Sequence, residues 1–197
     1  RITSTLTHYP LNYGINLGTW FVFDPQRNRG GRGLVFPNSR TRMGSITDGT
    51  SNTLAFAEIK AYTPYLRDSG NPSGPNAPIP SDPAQVIAFG GNFKTNSGHT
   101  EWVDGRAHQT GFTGTFTPNT VIPFVSGGET YDIDFNSSRE GKTVDRLTYA
   151  AVTSRSYHVS GVQTAYADGS VRFVTNEIDL RIWRAMSTRD RGEIIRQ

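Results

Sequence analysis

Two clusters of side chains in this sequence have the residue types and spacing to do chemistry. The first is Gly98-His99-Thr100-Glu101-Trp102-Val103-Asp104-Gly105-Arg106-Ala107-His108. An Asp-Gly pair signals a tight turn. Folding the segment around Asp104-Gly105 sets Glu101 opposite His108, with His99 on the same face. Two imidazoles and a carboxylate so gathered form a donor set for a metal such as zinc. The plainer reading, which we prefer, is a His–Glu hydrogen bond on a half-exposed strand pair. The second cluster is Asp132-Ile133-Asp134-Phe135-Asn136, whose oxygen-bearing side chains alternate as calcium ligands do. Ser137 stands where an EF-hand loop has glycine, and no helices flank the segment. An irregular calcium site or a polar strand and turn are the two readings. No other cofactor is expected.

Other chemistry lacks its residues. The chain has no cysteine, so disulfides, thiolate zinc sites and cysteine nucleophiles are excluded. No serine lies in a Gly-x-Ser-x-Gly elbow. Gly30-Gly31-Arg32-Gly33 fits neither the Walker nor the Rossmann spacing. No paired acid or oxyanion feature accompanies the histidine cluster. The expectation is a protein that is not an enzyme, with a metal hydrolase on His99, Glu101 and His108 as the remote alternative.

The elements that would position these residues are clearest near the end. Asp168-Gly169, flanked by alternating apolar residues, predicts a hairpin of two strands. A two-residue turn there sets Tyr166 opposite Val171 and Thr164 opposite Phe173. Extended backwards, that register sets His158 opposite Asp179. It leaves His158 roughly 30 Å from Asp168, at about 3.3 Å per residue. His158 is therefore read as a structural anchor and not as half of a catalytic dyad. Asp179 is a good N-cap for a helix over about Leu180–Ser187, and Ile178 with Trp183 fits a hydrophobic staple. Ile182, Trp183 and Met186 make an apolar stripe expected to pack on the sheet.

Elsewhere, period-two alternation from Tyr9 to Leu17 predicts an extended segment with one buried face. Trp20–Phe23 is an apolar patch, and Gln26–Asn38 a Gly- and Arg-rich loop. Ser39 is placed to cap a short helix over Arg40–Thr47, stopped by Asp48-Gly49. Thr53–Ile59 reads as a strand. Ser69–Pro83 carries five prolines among Ser, Gly and Asn and reads as a surface loop within one domain. Short strands are expected in Gly111–Phe116, Thr120–Val125 and Leu147–Thr153, with Gly127–Lys142 polar and turn-rich.

With 197 residues, 21 Gly, 11 Pro and 35% hydrophobic residues, the composition suits one loop-rich β or α+β domain. Net charge is +3, and lysine occurs only at 60, 94 and 142. Arg27, Arg29, Arg32, Arg40 and Arg42 concentrate the basic charge in one segment. Without a dense basic face interleaved with aromatics, a nucleic-acid partner is not expected. No apolar run of 18 residues spans a bilayer.

Four segments resemble a large bacterial family of pilin-like proteins, long catalogued as a domain of unknown function. Its hallmark, the prepilin-type His–nine residues–Asp-Gly motif, corresponds to His158 through Gly169. The other matching segments are Ile46–Thr53 (with Asp48, Gly49 and Asn52), Gly98–Gly105, and Trp183 through Ile195. Val159-Ser160-Gly161 replaces the usual Pro-Gly-Gly after the motif histidine. The resemblance implies a type IV pilin or type II secretion pseudopilin-like architecture: an α+β head with an antiparallel sheet, short helices and long loops. The family's apolar N-terminal anchor helix is not in this sequence, so membrane attachment is expected only through a helix outside it. The implied role is an exported structural or assembly protein of the cell envelope, associating with itself or with other pilin-like subunits. An extracellular ligand- or carbohydrate-binding module, using Trp20 or Trp102 as platform, is the alternative.

Overall fold

The computed structural model describes residues 8–193. In chain order these form β1 (Tyr13–Asn16), β2 (Phe21–Asp24), β3 (Arg29–Gly30), a 3-10 turn (Met43–Ser45), β4 (Leu54–Glu58), β5 (Thr63–Arg67), α1 (Pro83–Ile87) and β6 (Asn92–Gly98). There follow α2 (Ala107–Thr110), β7 (Gly111–Phe112), β8 (Pro123–Ser126), β9 (Glu129–Asp132), β10 (Asp134–Asn136), β11 (Thr148–Ala151), β12 (Gly161–Tyr166), β13 (Val171–Thr175) and α3 (Leu180–Met186). The class is α+β, mostly sheet with a few short helices. Among the described residues no helix is long and apolar enough to cross a membrane.

Two larger sheets carry the fold. One runs β13-β12-β4-β1-β7 and the other β3-β2-β11-β10-β5-β6, with β8 and β9 as a separate ribbon. Pairing is antiparallel except for β1 with β7 and β10 with β5. One core gathers Val22, Leu54, Ala57, Phe112, Val162, Trp183 and Met186, and a second Trp20, Leu66, Phe135 and Tyr149. The six-stranded sheet contributes to both. In β11, Ala150 belongs to the first core while Tyr149 and Ala151 belong to the second. Burial on both faces explains why this strand reads as a continuous apolar run and not as an alternation.

The tail folds largely as its sequence predicts, with one correction. Asp179 Oδ1 accepts from the amides of Arg181 and Ile182 at 2.7 and 3.2 Å, capping α3, and Trp183 is fully buried. The hairpin register, however, is slipped by one residue. Val162 pairs Val174, Gln163 pairs Phe173 and Ala165 pairs Val171. The loop has three residues, because the Tyr166 amide bonds Ser170 C=O and Gly169 takes φ +86 to close the turn. A slip of one turns a whole strand over: Val174 faces the core, and Val171 and Phe173 face outward.

Other differences have local causes. Ser39 caps no helix; its hydroxyl accepts from the Phe36 amide behind it, and only Met43–Ser45 turns. The Pro-rich loop ends in α1, whose signal was Asp82-Pro83: Asp82 caps the amides of Ala84 and Gln85, and Pro83 occupies the first turn. β5, for which no strand was expected, contains Pro64, and the register shifts between Thr63 and Tyr65, the kind of bulge that admits proline. The segment from Gly127 to Lys142, expected to be polar and turn-rich, holds all of β9 and β10.

Candidate functional site

The motif histidine is set by the bend at 156–161. Ser156 Oγ accepts the His158 amide at 3.0 Å and donates to Gly161 C=O, folding the chain back on itself. The His158 side chain is 55% exposed, and its Nε2 lies 3.3 Å from Glu58 Oε1. Glu58 is the hub that sequence reasoning missed. Its other carboxylate oxygen accepts the Gln163 amide at 2.7 Å, and its carbonyl accepts from the Arg155 amide and the Ser154 hydroxyl. The available signal was a lone charge in the otherwise apolar Thr53–Ile59 strand. The Asn176 amide bonds Ser160 C=O at 2.8 Å, so the bend does sit beside the start of the α3 connection. The imidazole nevertheless turns to Glu58, not to Asp179, which is occupied by its helix cap. Asp168 bonds the amide and hydroxyl of Ser170 at the hairpin tip.

His158 borders the outer face of the five-stranded sheet. Its ring stands edge-on to Phe173 at 6.3 Å between centroids. Cross-strand partners Val171, Ala165, Phe56 and Ile15 form a row across this face. Val171 is 66% exposed, Tyr13 51%, Phe173 44% and Phe56 42%. β13 ends the sheet, so among the described residues one side of its backbone faces no strand. Phe56 and Ala165 also line a neighbouring groove with Leu34, Met43 and Ile46. Side chains of this size left in water on adjoining strands, beside an open strand edge, form a surface suited to burial against another chain.

Asp48, Gly49 and Asn52 build a clasp. Asp48 Oδ1 and Oδ2 accept the amides of Gly192 and Arg191 at 2.7 and 2.8 Å, and the Asp48 amide bonds Arg189 C=O. Gly49, at φ +95, makes the turn, and the Asn52 carboxamide donates to Asp48 C=O. The same loop receives the hairpin: the amides of Ala167 and Asp168 donate to the carbonyls of Thr53 and Thr50. Three of the four motif segments thus meet here.

The candidate metal ligands lie elsewhere, and the preferred alternative, a His–Glu hydrogen bond across a strand pair, does not form either. Asp104-Gly105 does not turn a hairpin; the chain enters α2, and Arg106 pairs with Asp104 at 2.8 Å. Glu101 is exposed, whereas His99 and His108 are buried, so the three do not share a face. Asp132 and Asp134 flank the Arg155 guanidinium instead. Arg155 Nη2 and Nε lie 2.8 and 2.9 Å from Asp132, and Nη1 bonds Asp134 Oδ1. Of the two readings of this segment, a calcium loop or a polar strand and turn, the structure has strand residues whose carboxylates hold a guanidinium. Asp134 Oδ2 accepts from His99 Nε2 at 3.1 Å, and His99 Nδ1 donates to Gln109 C=O at 2.8 Å. Burial alone raises the Asp134 carboxyl, but Arg155 and His99 outweigh it and hold it below the usual range.

Next to this lies a second buried group. Asn136 Nδ2 lies 3.1 Å from His108 Nδ1 and 3.4 Å from Glu140 Oε2, and Glu140 Oε1 accepts the Ala107 amide. Burial, with the His99 charge next, lowers His108 to about 3, so its ring is neutral. Burial pushes Glu140 up to about 7. Among the described residues no group of three or more His, Asp or Glu side chains is arranged to hold a metal ion. Trp20, proposed as a binding platform, is inside the second core; Trp102 is exposed.

The fold is that of an α+β protein, mostly sheet with a few short helices. The chain belongs to the family described as Protein of unknown function (DUF1559), whose profile matches residues 3–181. No curated protein and no solved structure matches it.

Proposed function

We propose that this chain is the head of an exported, pilin-like structural protein of the cell envelope, working by association with further copies of itself and not by catalysis. The observation that carries the reading is the outer face of the five-stranded sheet. Val171, Phe173, Phe56 and Tyr13 remain exposed on adjoining strands, and among the described residues the sheet ends at the edge of β13. A second copy is the fitting occupant. Two β13 edges pairing about a two-fold axis would extend the sheet, place like face beside like face, and satisfy the free backbone groups. The resemblance of His158–Gly169 to the prepilin-type motif supports the same reading, since His158 borders this face.

The test is sedimentation velocity over a wide protein concentration range. The wild-type chain self-associates, and Phe173→Lys or Val171→Lys abolishes association with an unchanged circular dichroism spectrum. A wild-type chain that stays monomeric throughout, or association untouched by both substitutions, refutes the proposal.

A further inference from the structure

We propose that the cleft between the β2–β3 hairpin and the 75–77 loop binds a uronate: a sugar ring bearing a carboxylate, free or at the end of an acidic glycan. This is independent of the assembly reading, because the cleft opens on the six-stranded sheet and the apolar face belongs to the five-stranded one. Four guanidiniums line the cleft, those of Arg27, Arg29, Arg32 and Arg191. Three of them are already held by carboxylates, Arg191 by Glu193 at 3.7 Å and the other two as follows. Asp24 accepts the amides of Gln26 and Arg27 and pairs with the Arg27 side chain at 3.1 Å. Arg32 is held by Asp190 at 3.2 Å, and Arg189 ties the hairpin from behind through the carbonyls of Gly31 and Gly33. Arg29 has neither an ion-pair nor a hydrogen-bond partner for its side chain among the described residues. A guanidinium fork presents two parallel donors, the arrangement that a carboxylate matches.

The remaining walls select more than charge. Phe21, half-buried and backed by the buried ring of Tyr149 at 5.5 Å between centroids, gives an apolar side against which the C–H face of a sugar ring can lie. Asn76, also on the lining, has no side-chain hydrogen-bond partner among the described residues, and its carboxamide can both donate to and accept from ring hydroxyls. The cavity volume is about 380 Å³. That is near the lower end for small-molecule sites, room for one ring and not for a chain. A bare oxyanion would use the arginines and leave the aromatic wall and Asn76 unused.

The experiment is titration calorimetry on the whole chain with glucuronate, galacturonate, neutral galactose, inorganic phosphate and a short oligogalacturonate. Uronates are expected to bind and galactose not. Arg29→Ala should weaken uronate binding about tenfold or more, the loss of a charge-assisted hydrogen-bonded pair, while Arg40→Ala, outside the cleft, leaves it unchanged. An oligouronate that competes identifies a glycan end as the source, and one that is excluded identifies the free sugar acid. Absence of uronate binding, indifference to Arg29→Ala, or phosphate binding as tightly as the uronate overturns the proposal. Self-association is read separately, so either result stands without the other.

Discussion

Arg155 holds Asp134 in an ion pair from which water is excluded on both sides, the two side chains being 3% and 2% exposed. The guanidinium also reaches Asp132 and the carbonyls of Ile133 and Thr153, so its donors are satisfied. Such a pair contributes little net stability when intact, but removing one partner strands a buried charge. Arg155→Met is therefore expected to cost about 3–5 kcal/mol in urea denaturation. Adding Asp134→Asn to that variant should recover part of the loss. Equal loss in the single and double variants would show that the charge balance is not what matters.

Glu140 makes stability depend on pH. Its folded value is about 7 against an ordinary 4.5, so the folded state holds the proton more tightly. Its contribution is complete below about 4.5 and is lost as pH rises to about 7. The neutral acid has a ready acceptor, since Asn136 Oδ1 is buried without a hydrogen-bond partner and turning that amide over would present it. Glu140→Gln should thus raise stability at pH 8, by an amount on the order of 3 kcal/mol, and change it little at pH 4. His108 acts in the opposite sense. Lowered to about 3, it contributes stability above its ordinary 6.5 that is lost as pH falls towards 3. Denaturant midpoints across pH 4–8 check both signs.

The clasp predicts a local effect. Asp48→Ala removes the acceptors of two amides in the final segment, at a cost of about 1–3 kcal/mol. Limited trypsin digestion should then cut after Arg189 and Arg191 sooner than in the wild-type chain, with the core fragments unchanged. Identical digestion patterns would contradict the arrangement.

His158 and Glu58 should differ in weight although they share a contact. The imidazole is more than half exposed, so His158→Ala is expected to cost no more than about 1 kcal/mol. Glu58→Ala also orphans the Gln163 amide and should cost more. Thermal melts of the two variants rank them, and a reversed order would make His158, not Glu58, the anchor of this bend.

What the sequence determined by itself is local. The β-rich class, the turn at Asp168-Gly169 and the helix capped by Asp179 depend on groups within a few residues of each other, so spacing and residue type suffice. Even here the turn's length escaped, since Asp-Gly suits loops of two or three residues, and the difference decided which side of β13 meets water.

Tertiary structure decided every longer partnership. Arg155 meets Asp132 across 23 residues, His99 meets Asp134 across 35, and Asp48 meets the Arg191 amide across 143. Nothing in the spacing of Asp132, Asp134 and Asn136 distinguishes a calcium loop from a pocket for a guanidinium. The choice depends on which distant strand supplies a counter-charge once both faces of the sheet are covered.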